Sequence, residues 1–384
     1  MTSQEFQEIG LTGGKVKFTT VTEKDGRRKY QISWTHSSPT PAALFAVWAL
    51  PQGIVIATAE MGGIGAPVKP PPVRGCFQVM IGSDSQGKFG HQCPACREYW
   101  RSGAGVGMCP YCATQADRHL FLTEAQERYV MQYCDRLHQA LDDEKDGEHV
   151  IDMDAVATAA GKDAKKPDFY YAEESQQKKF DCQACGEYND IIGRYCYCSQ
   201  CGTRNDLHEL ETDTLAKIRI RINSGGGYDA CVSDTVGAFD TFTKQYAKEM
   251  VKNIPLRSRR KGRIDRMRFH DLRTTAEELK AAFDIDILDG MTPDDIAFAT
   301  RMFHRRHVYE HNGGVVDQKY LDDSGDDTVR LRQTIHETQA SAHRLVGCIK
   351  RMAENIHAGF HDIFPPLPGP IEWHTKRQSM RTTK

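Results

Sequence analysis

Hydrophobic residues fall in short alternating runs over the first part of the chain and at helical spacing over its last third. Residues 15–21 (VKFTTVT) and 29–34 (KYQISW) flank the turn EKDGRR and predict a β-hairpin. LFAVWAL and IVIATAE are further strand candidates, and Pro and Gly punctuate the chain up to about residue 75. Residues 1–90 read as a small β-rich unit without a chemical motif. Thr123-Glu-Ala-Gln126 has the pattern of a capping box, and Val130, Cys134, Leu137 and Leu141 follow at helical spacing. A helix is expected to about residue 142, with Cys134 in the core. Residues 143–180 carry many Asp, Glu, Lys and Ala and few large apolar side chains, the composition of a linker or loosely packed arm.

Past SGGG at 224–227, which reads as a domain boundary, the pattern turns helical. Val232, Val236, Phe239, Tyr246 and Met250 mark one apolar face. Thr275-Ala-Glu-Glu278 suggests a second capping box ahead of Leu279, Ala282 and Phe283. Thr292-Pro293 is a good start for a third helix, with proline at the first helical position. Leu331, Ile335, Thr338, Ala342, Leu345, Ile349, Met352 and Ile356 predict one long amphipathic helix. Residues 228–362 therefore read as an antiparallel bundle of four or five helices, and 363–384 as a tail.

The cysteines change the picture between these parts. There are 13, and the N-terminal MTSQEFQEIG has neither the basic nor the apolar region of a secretion signal. No run of 18 apolar residues could span a bilayer. The expectation is a cytoplasmic chain with no membrane partner, whose cysteines bind metal rather than form disulfides. Cys93, Cys96, Cys109 and Cys112 form one C-x2-C-x12-C-x2-C set; Cys182, Cys185, Cys198 and Cys201 form a second. Each knuckle places two thiolates on one side of a tight turn, and two knuckles supply a closed tetrahedral site. Two structural zinc ions per chain are expected. At an offset of 89 residues Ala95 matches Ala184, Glu98 matches Glu187, Tyr99 matches Tyr188, Thr114 matches Thr203, Asp117 matches Asp206, His119 matches His208 and Thr123 matches Thr212, so the unit is duplicated. Cys196 could replace Cys198, but the repeat register favours Cys198; His119 and His208 read as structural or surface residues. The expected fold is multidomain α+β: the β-rich region 1–90, a zinc ribbon with exit helix 91–142, the linker 143–180, a second zinc ribbon 181–223, the all-α bundle 228–362 and the tail 363–384.

Net charge is only −2, so overall charge points to no partner. Local charge does: eight Arg or Lys lie between Arg257 and Arg273 against two aspartates. This stretch reads either as a solvated loop or as a phosphate-binding patch. A second polar cluster, RRHVYEHNGG at 305–314, ends the third bundle helix, with Gly313 and Gly314 suited to its C-terminal cap. Arg306 and Glu310 are spaced for an i,i+4 ion pair. Arg306 and His311 lie roughly 140° apart around a regular helix and about 7.5 Å along it, so they converge only if the helix distorts or a second chain contributes.

Arg306-His307-Val308-Tyr309-Glu310-His311, with its leading DDIAFATRMFHRR and following HNGGVVDQKYL, resembles the R-x4-6-H signature of the HEPN superfamily of helical bundles. The resemblance covers roughly residues 228–362. It implies a metal-independent endoribonuclease acting as a homodimer, of the kind that serves bacteria as toxin or antiviral effector. By that resemblance His311 is the general acid or base and Arg306 braces the scissile phosphate. His307 and Asn312 orient substrate or the catalytic pair, and Arg257, Arg259, Arg260, Lys261, Arg263 and Arg305 hold RNA. No cofactor is expected for catalysis, and the ribbons are expected to regulate or target the enzyme through a protein or nucleic-acid partner. The rival reading is a non-catalytic nucleic-acid-binding or adaptor protein whose bundle only dimerises. A metal-dependent enzyme is the weakest reading, because no H-E-x-x-H grouping is present.

Overall fold

The computed structural model describes residues 14–36, 43–60, 72–84, 86–103, 105–142, 145–161 and 177–382. It divides into two compact units, Met1–Thr203 with Leu367–Lys384, and Arg204–Pro366. The architecture is mixed α+β, with small antiparallel sheets and two four-cysteine groups in the first unit and helices in the second.

In the first unit β1 (Gly14–Thr22) and β2 (Arg28–His36) make the expected hairpin, from Gly14 opposite His36 to Thr22 opposite Arg28. Val16, Phe18 and Thr20 are buried between exposed Lys15 and Lys17, the alternation of a sheet with one covered face. β3 (Leu44–Ala49) lies between β4 (Val55–Ala59) and β5 (Phe77–Gly82). β6 (Phe89–Gln92) and β7 (Tyr99–Ser102) flank the first knuckle. Thr123 and Gln126 then close the expected capping box, each side chain meeting the other's backbone N–H, and start α1 (Glu124–Asp142). Cys134 is buried on α1, as expected.

The segment expected to be a linker carries regular structure. Within it, β8 (Gly147–Asp152) pairs with β1, and α2 (Met153–Gly161) packs into the same core. Ile151, Met153, Val156, Ala157 and Ala160 are all buried there. Alanines bury little area each, so composition conceals this apolar face. Residues 143–144 and 162–176 of the expected linker lie outside the described residues. β9 (Gln177–Asp181) and β10 (Tyr188–Ile192) flank the first knuckle of the second cysteine set. Asn189 opposite Ser102 and Asp190 opposite Arg101 join β10 to β7, so both cysteine sets share one sheet in the order β6-β7-β10-β9.

The second unit begins ahead of SGGG. α3 (Asp206–Glu209), a π turn (Leu210–Leu215) and α4 (Ala216–Asn223) belong to it, so SGGG is a turn between helices rather than a boundary. Gly225 and Gly227 take φ of 77° and 44° there, conformations open to glycine. α5 (Tyr228–Asn253) buries Val232, Val236, Phe239, Tyr246 and Met250, the stripe the periodicity predicts. α6 (Ser258–Asp265) carries part of the basic stretch. α7 (Leu272–Phe283) starts earlier than expected: Asp271 caps it by accepting from Thr274 N, and Thr275 is buried inside it. α8 (Pro293–Asn312) has Thr292 as its cap and proline in its first turn, as expected. α9 (Gln318–Ser324) is short. α10 (Gln339–Ile363) is shorter than the predicted helix, because Thr338 and Ser341 form a capping box that fixes its start. Leu331 and Ile335 therefore precede the helix, Ile335 buried with Val308, Val316 and Tyr320. α10 and α8 both pack on α5, with Phe239 and Phe303 edge to face at 5.6 Å. The expected tail is helical: α11 (Pro368–Thr382) opens on a proline and belongs to the first unit. Among the described residues no helix is long and apolar enough to cross a membrane.

Candidate metal centres and basic cleft

The eight cysteines expected as ligands form two groups, Cys93, Cys96, Cys109, Cys112 and Cys182, Cys185, Cys198, Cys201. In the first, Cys93 and Cys112 Sγ are 3.6 Å apart and Cys96 and Cys109 Sγ 3.7 Å. In the second, the corresponding separations are 3.7 Å and 3.6 Å. A tetrahedron with ~2.3 Å metal–sulfur bonds has edges of about 3.8 Å, so each cage has the size of a thiolate-bound metal ion. Backbone N–H groups of Ala95, Tyr111 and Gln200 point at Cys93, Cys109 and Cys198 Sγ at 3.4–3.5 Å and would spread thiolate charge. The residue after each knuckle is left-handed: Arg97, Ala113, Gly186 and Gly202 have φ between 60° and 81°. Four sulfurs close each site and leave no open position for substrate, which fits a structural ion. Cys196 lies outside both groups, buried with Trp100, Phe121 and Ile191, as the repeat register favours. His119 and His208 also stand apart from the cages.

The motif lies on the last two turns of α8, whose C-cap Gly313 is left-handed at φ 60°. The helix runs regularly through Asn312, so Arg306 and His311 stay on different faces. Arg306 Nη2 meets Glu310 Oε2 at 2.8 Å, the i,i+4 pair the spacing allows. His311 instead packs on His307 with the rings tilted by 56° and their centres 4.6 Å apart. Burial, with His311 and Lys319 nearby, lowers the pKa of His307, which keeps its ring neutral at neutral pH. Asn312 Nδ2 donates to Asp317 Oδ2 at 2.6 Å and ties the helix end to the cap of α9.

Arg305 was expected on the RNA side and is placed elsewhere. Its guanidinium donates to Asp326 Oδ2 at 2.9 Å and Glu337 Oε1 at 3.0 Å, and its side chain is 11% exposed. Burial would lower its pKa, but Tyr320, Asp326 and Glu337 hold it up. Tyr309 donates to the same Glu337 oxygen at 2.6 Å, and Asp229 accepts from Glu337 N. Arg305 thus clamps the 326–337 segment and is not available to a phosphate.

The other basic residues divide. Arg257, Arg259, Arg260 and Lys261 are exposed at the start of α6, while Arg263 pairs with Glu278. Arg263 also lines a cleft of about 880 Å³, with Arg266, Arg268, His270 and Arg273 on one side. Thr300, Phe303, His304 and His307 of α8 and Lys319 and Tyr320 of α9 line the other. Residues 300, 303, 304 and 307 are one helical face, and His311 continues it by one turn. Sequence reasoning singled out neither His304 and Lys319 nor Asp326 and Glu337. The i,i+3/i+4 spacing of Thr300, Phe303, His304 and His307 was a usable signal for the first; nothing local marks the carboxylates that take up Arg305. Comparison with family models, with curated proteins and with solved structures gave no match to this chain.

Proposed function

We propose that this protein is a metal-independent endoribonuclease of the HEPN type, acting as a homodimer through a helical bundle in the second unit. Its cysteine sets hold structural zinc in two ribbons that regulate or target it. The observation that carries this reading is the cleft: four arginines and a lysine line it together with histidines of α8, and His311 packs on His307 one turn beyond its wall. Cations gather phosphates, and neutral imidazole accepts a proton near neutral pH.

Cleavage by the RNA's own 2'-hydroxyl needs three things. One group removes the 2' proton, one returns a proton to the leaving 5' oxygen, and a cation stabilises the phosphorane. His311 with His307 serves the proton transfers. Arg306 serves the charge, exchanging Glu310 for phosphate, and faces the histidines of a second copy rather than its own.

The test is RNA cleavage in EDTA by the wild type and His311→Ala, with RNA binding measured on both. Loss of His311 is expected to slow cleavage at least ~100-fold while binding persists. Arg266→Ala and Arg268→Ala, at exposed positions of the cleft, are each expected to lower the slope of log binding constant against log salt by about 0.7–0.9. The rival, a non-catalytic RNA-binding adaptor, draws on the Arg306–Glu310 pair, which already neutralises the motif arginine. Binding by both proteins without cleavage by either establishes the adaptor instead.

A further inference from the structure

The two four-cysteine sites are copies in sequence but not in surroundings. In the first, Cys93 and Cys109 are buried while Cys96 and Cys112 are partly exposed. In the second, all four are buried, none more than 5% exposed.

The difference coincides with α11. Ile371 packs against the second set of cysteines. Just ahead of the helix, Leu367 N–H donates to the Cys201 carbonyl at 2.8 Å. His374 lies over Gly186, where a Cβ would come within 2.3 Å of its Cε1. Gln378 Nε2 holds the same ring at 2.8 Å from His374 Nε2.

The repeat makes Gly186 informative. It follows Cys185 as Arg97 follows Cys96, and both are left-handed, at φ 72° and 64°. The first copy makes this turn with an arginine, so the turn alone does not require glycine. What glycine adds in the second copy is room for His374. A side chain there would push the imidazole, and α11 with it, off the site.

We infer that α11 is a docked cap that locks the metal of the second site, and that the half-open first site is the exchangeable one. A closed four-thiolate site releases its ion when a chelator binds the metal and displaces a thiolate, or when a thiol reagent alkylates a ligand sulfur, and either approach needs exposure at the site. Cys96 and Cys112 offer it, while the second set lies beneath the cap. The first site is therefore where the unit exchanges metal with its surroundings or meets thiol-reactive compounds. This inference does not depend on the ribonuclease reading.

The experiment uses the full chain loaded with zinc and challenged with the chromogenic chelator 4-(2-pyridylazo)resorcinol. Samples are quenched in N-ethylmaleimide and the alkylated cysteines mapped by mass spectrometry. Two equal phases are expected, at least tenfold apart in rate. Alkylation should reach Cys96 and Cys112 in the fast phase and Cys182 and Cys185 only in the slow one. Gly186→Arg, which gives the second turn the residue of the first, should accelerate the slow phase at least fivefold. His374→Ala removes the ring without touching the turn and should shift the slow phase in the same direction. A single phase releasing both ions, labelling of Cys182 and Cys185 first, or a slow phase unchanged in both variants overturns the proposal.

Discussion

Cys198→Ser is expected to leave purified protein with well under one metal ion per chain, not one. Cys198 is fully buried, and its sulfur receives the amides of Gln200 and, at 3.7 Å, Asn189. Asn189 also accepts from Ser199 N at 2.9 Å and pairs with Ser102 of β7. The Ser199 carbonyl in turn accepts from Gly107 and Met108 N, immediately before Cys109 of the first site. Loss of the second ion therefore loosens the strand and loop that hold the first, whereas the second set keeps the cover of α11 when the first ion leaves. Structural zinc contributes on the order of 10–16 kcal/mol, as much as the ~5–15 kcal/mol net stability of a whole domain. Metal analysis and amide hydrogen exchange check this: β7, β9 and β10 should lose protection together. One full equivalent of metal with β7 still protected would mean that the two sites fold independently.

Arg305→Met is expected to cost about 3–5 kcal/mol, the range for removing one partner of a buried ion pair. The substitution keeps much of the apolar stem but strands Asp326 and Glu337, whose side chains are 0% and 2% exposed. Arg305→Lys should rescue little, since one ammonium cannot reproduce the fork that spans both carboxylates. Urea unfolding of the two variants and the wild type measures the difference; a loss below about 1 kcal/mol, the value of a surface pair, would reject the clamp. The same cluster sets an acid limit. Burial alone would raise the pKa of Asp326, but hydrogen bonds from Thr328, Tyr320 and Arg305 outweigh it and hold it at about 2. A carboxyl whose pKa is depressed on folding adds stability above its unfolded value of about 3.9. That contribution is complete above that pH and fades as pH falls toward 2. In Arg305→Met the acid dependence in this window should flatten.

Much of this arrangement was legible locally. The hairpin β1–β2, the capping box at Thr123, the Thr292-Pro293 start and both cysteine sets follow from side chains within a few residues of each other. The helical stripe of α5 was readable because large apolar residues repeat over about five turns. Two helix starts, at Asp271 and Thr338, were misread although their caps are local; elsewhere the deciding partner was distant. β8 has no strong pattern of its own and exists because β1 offers it an unpaired edge. Arg305 and Arg306 are neighbours with the same side chain, yet one is spent on Asp326 and Glu337 and the other on Glu310. Local sequence contained the Glu310 partner but not the other two.

The sequence by itself therefore determined the two four-cysteine groups that could hold metal, the duplication that relates them, and the apolar faces of α5 and α10. Those features rest on short-range geometry: the knuckle turn and the 3.6-residue repeat. Only the tertiary structure decided that the two cysteine sets share one sheet, that α11 covers one of them, and that the basic stretch faces the histidines of α8 across a cleft. Each of these joins residues tens to hundreds of positions apart. Such pairings are chosen by which buried surfaces fit together over the whole fold, and no window of the chain contains both halves.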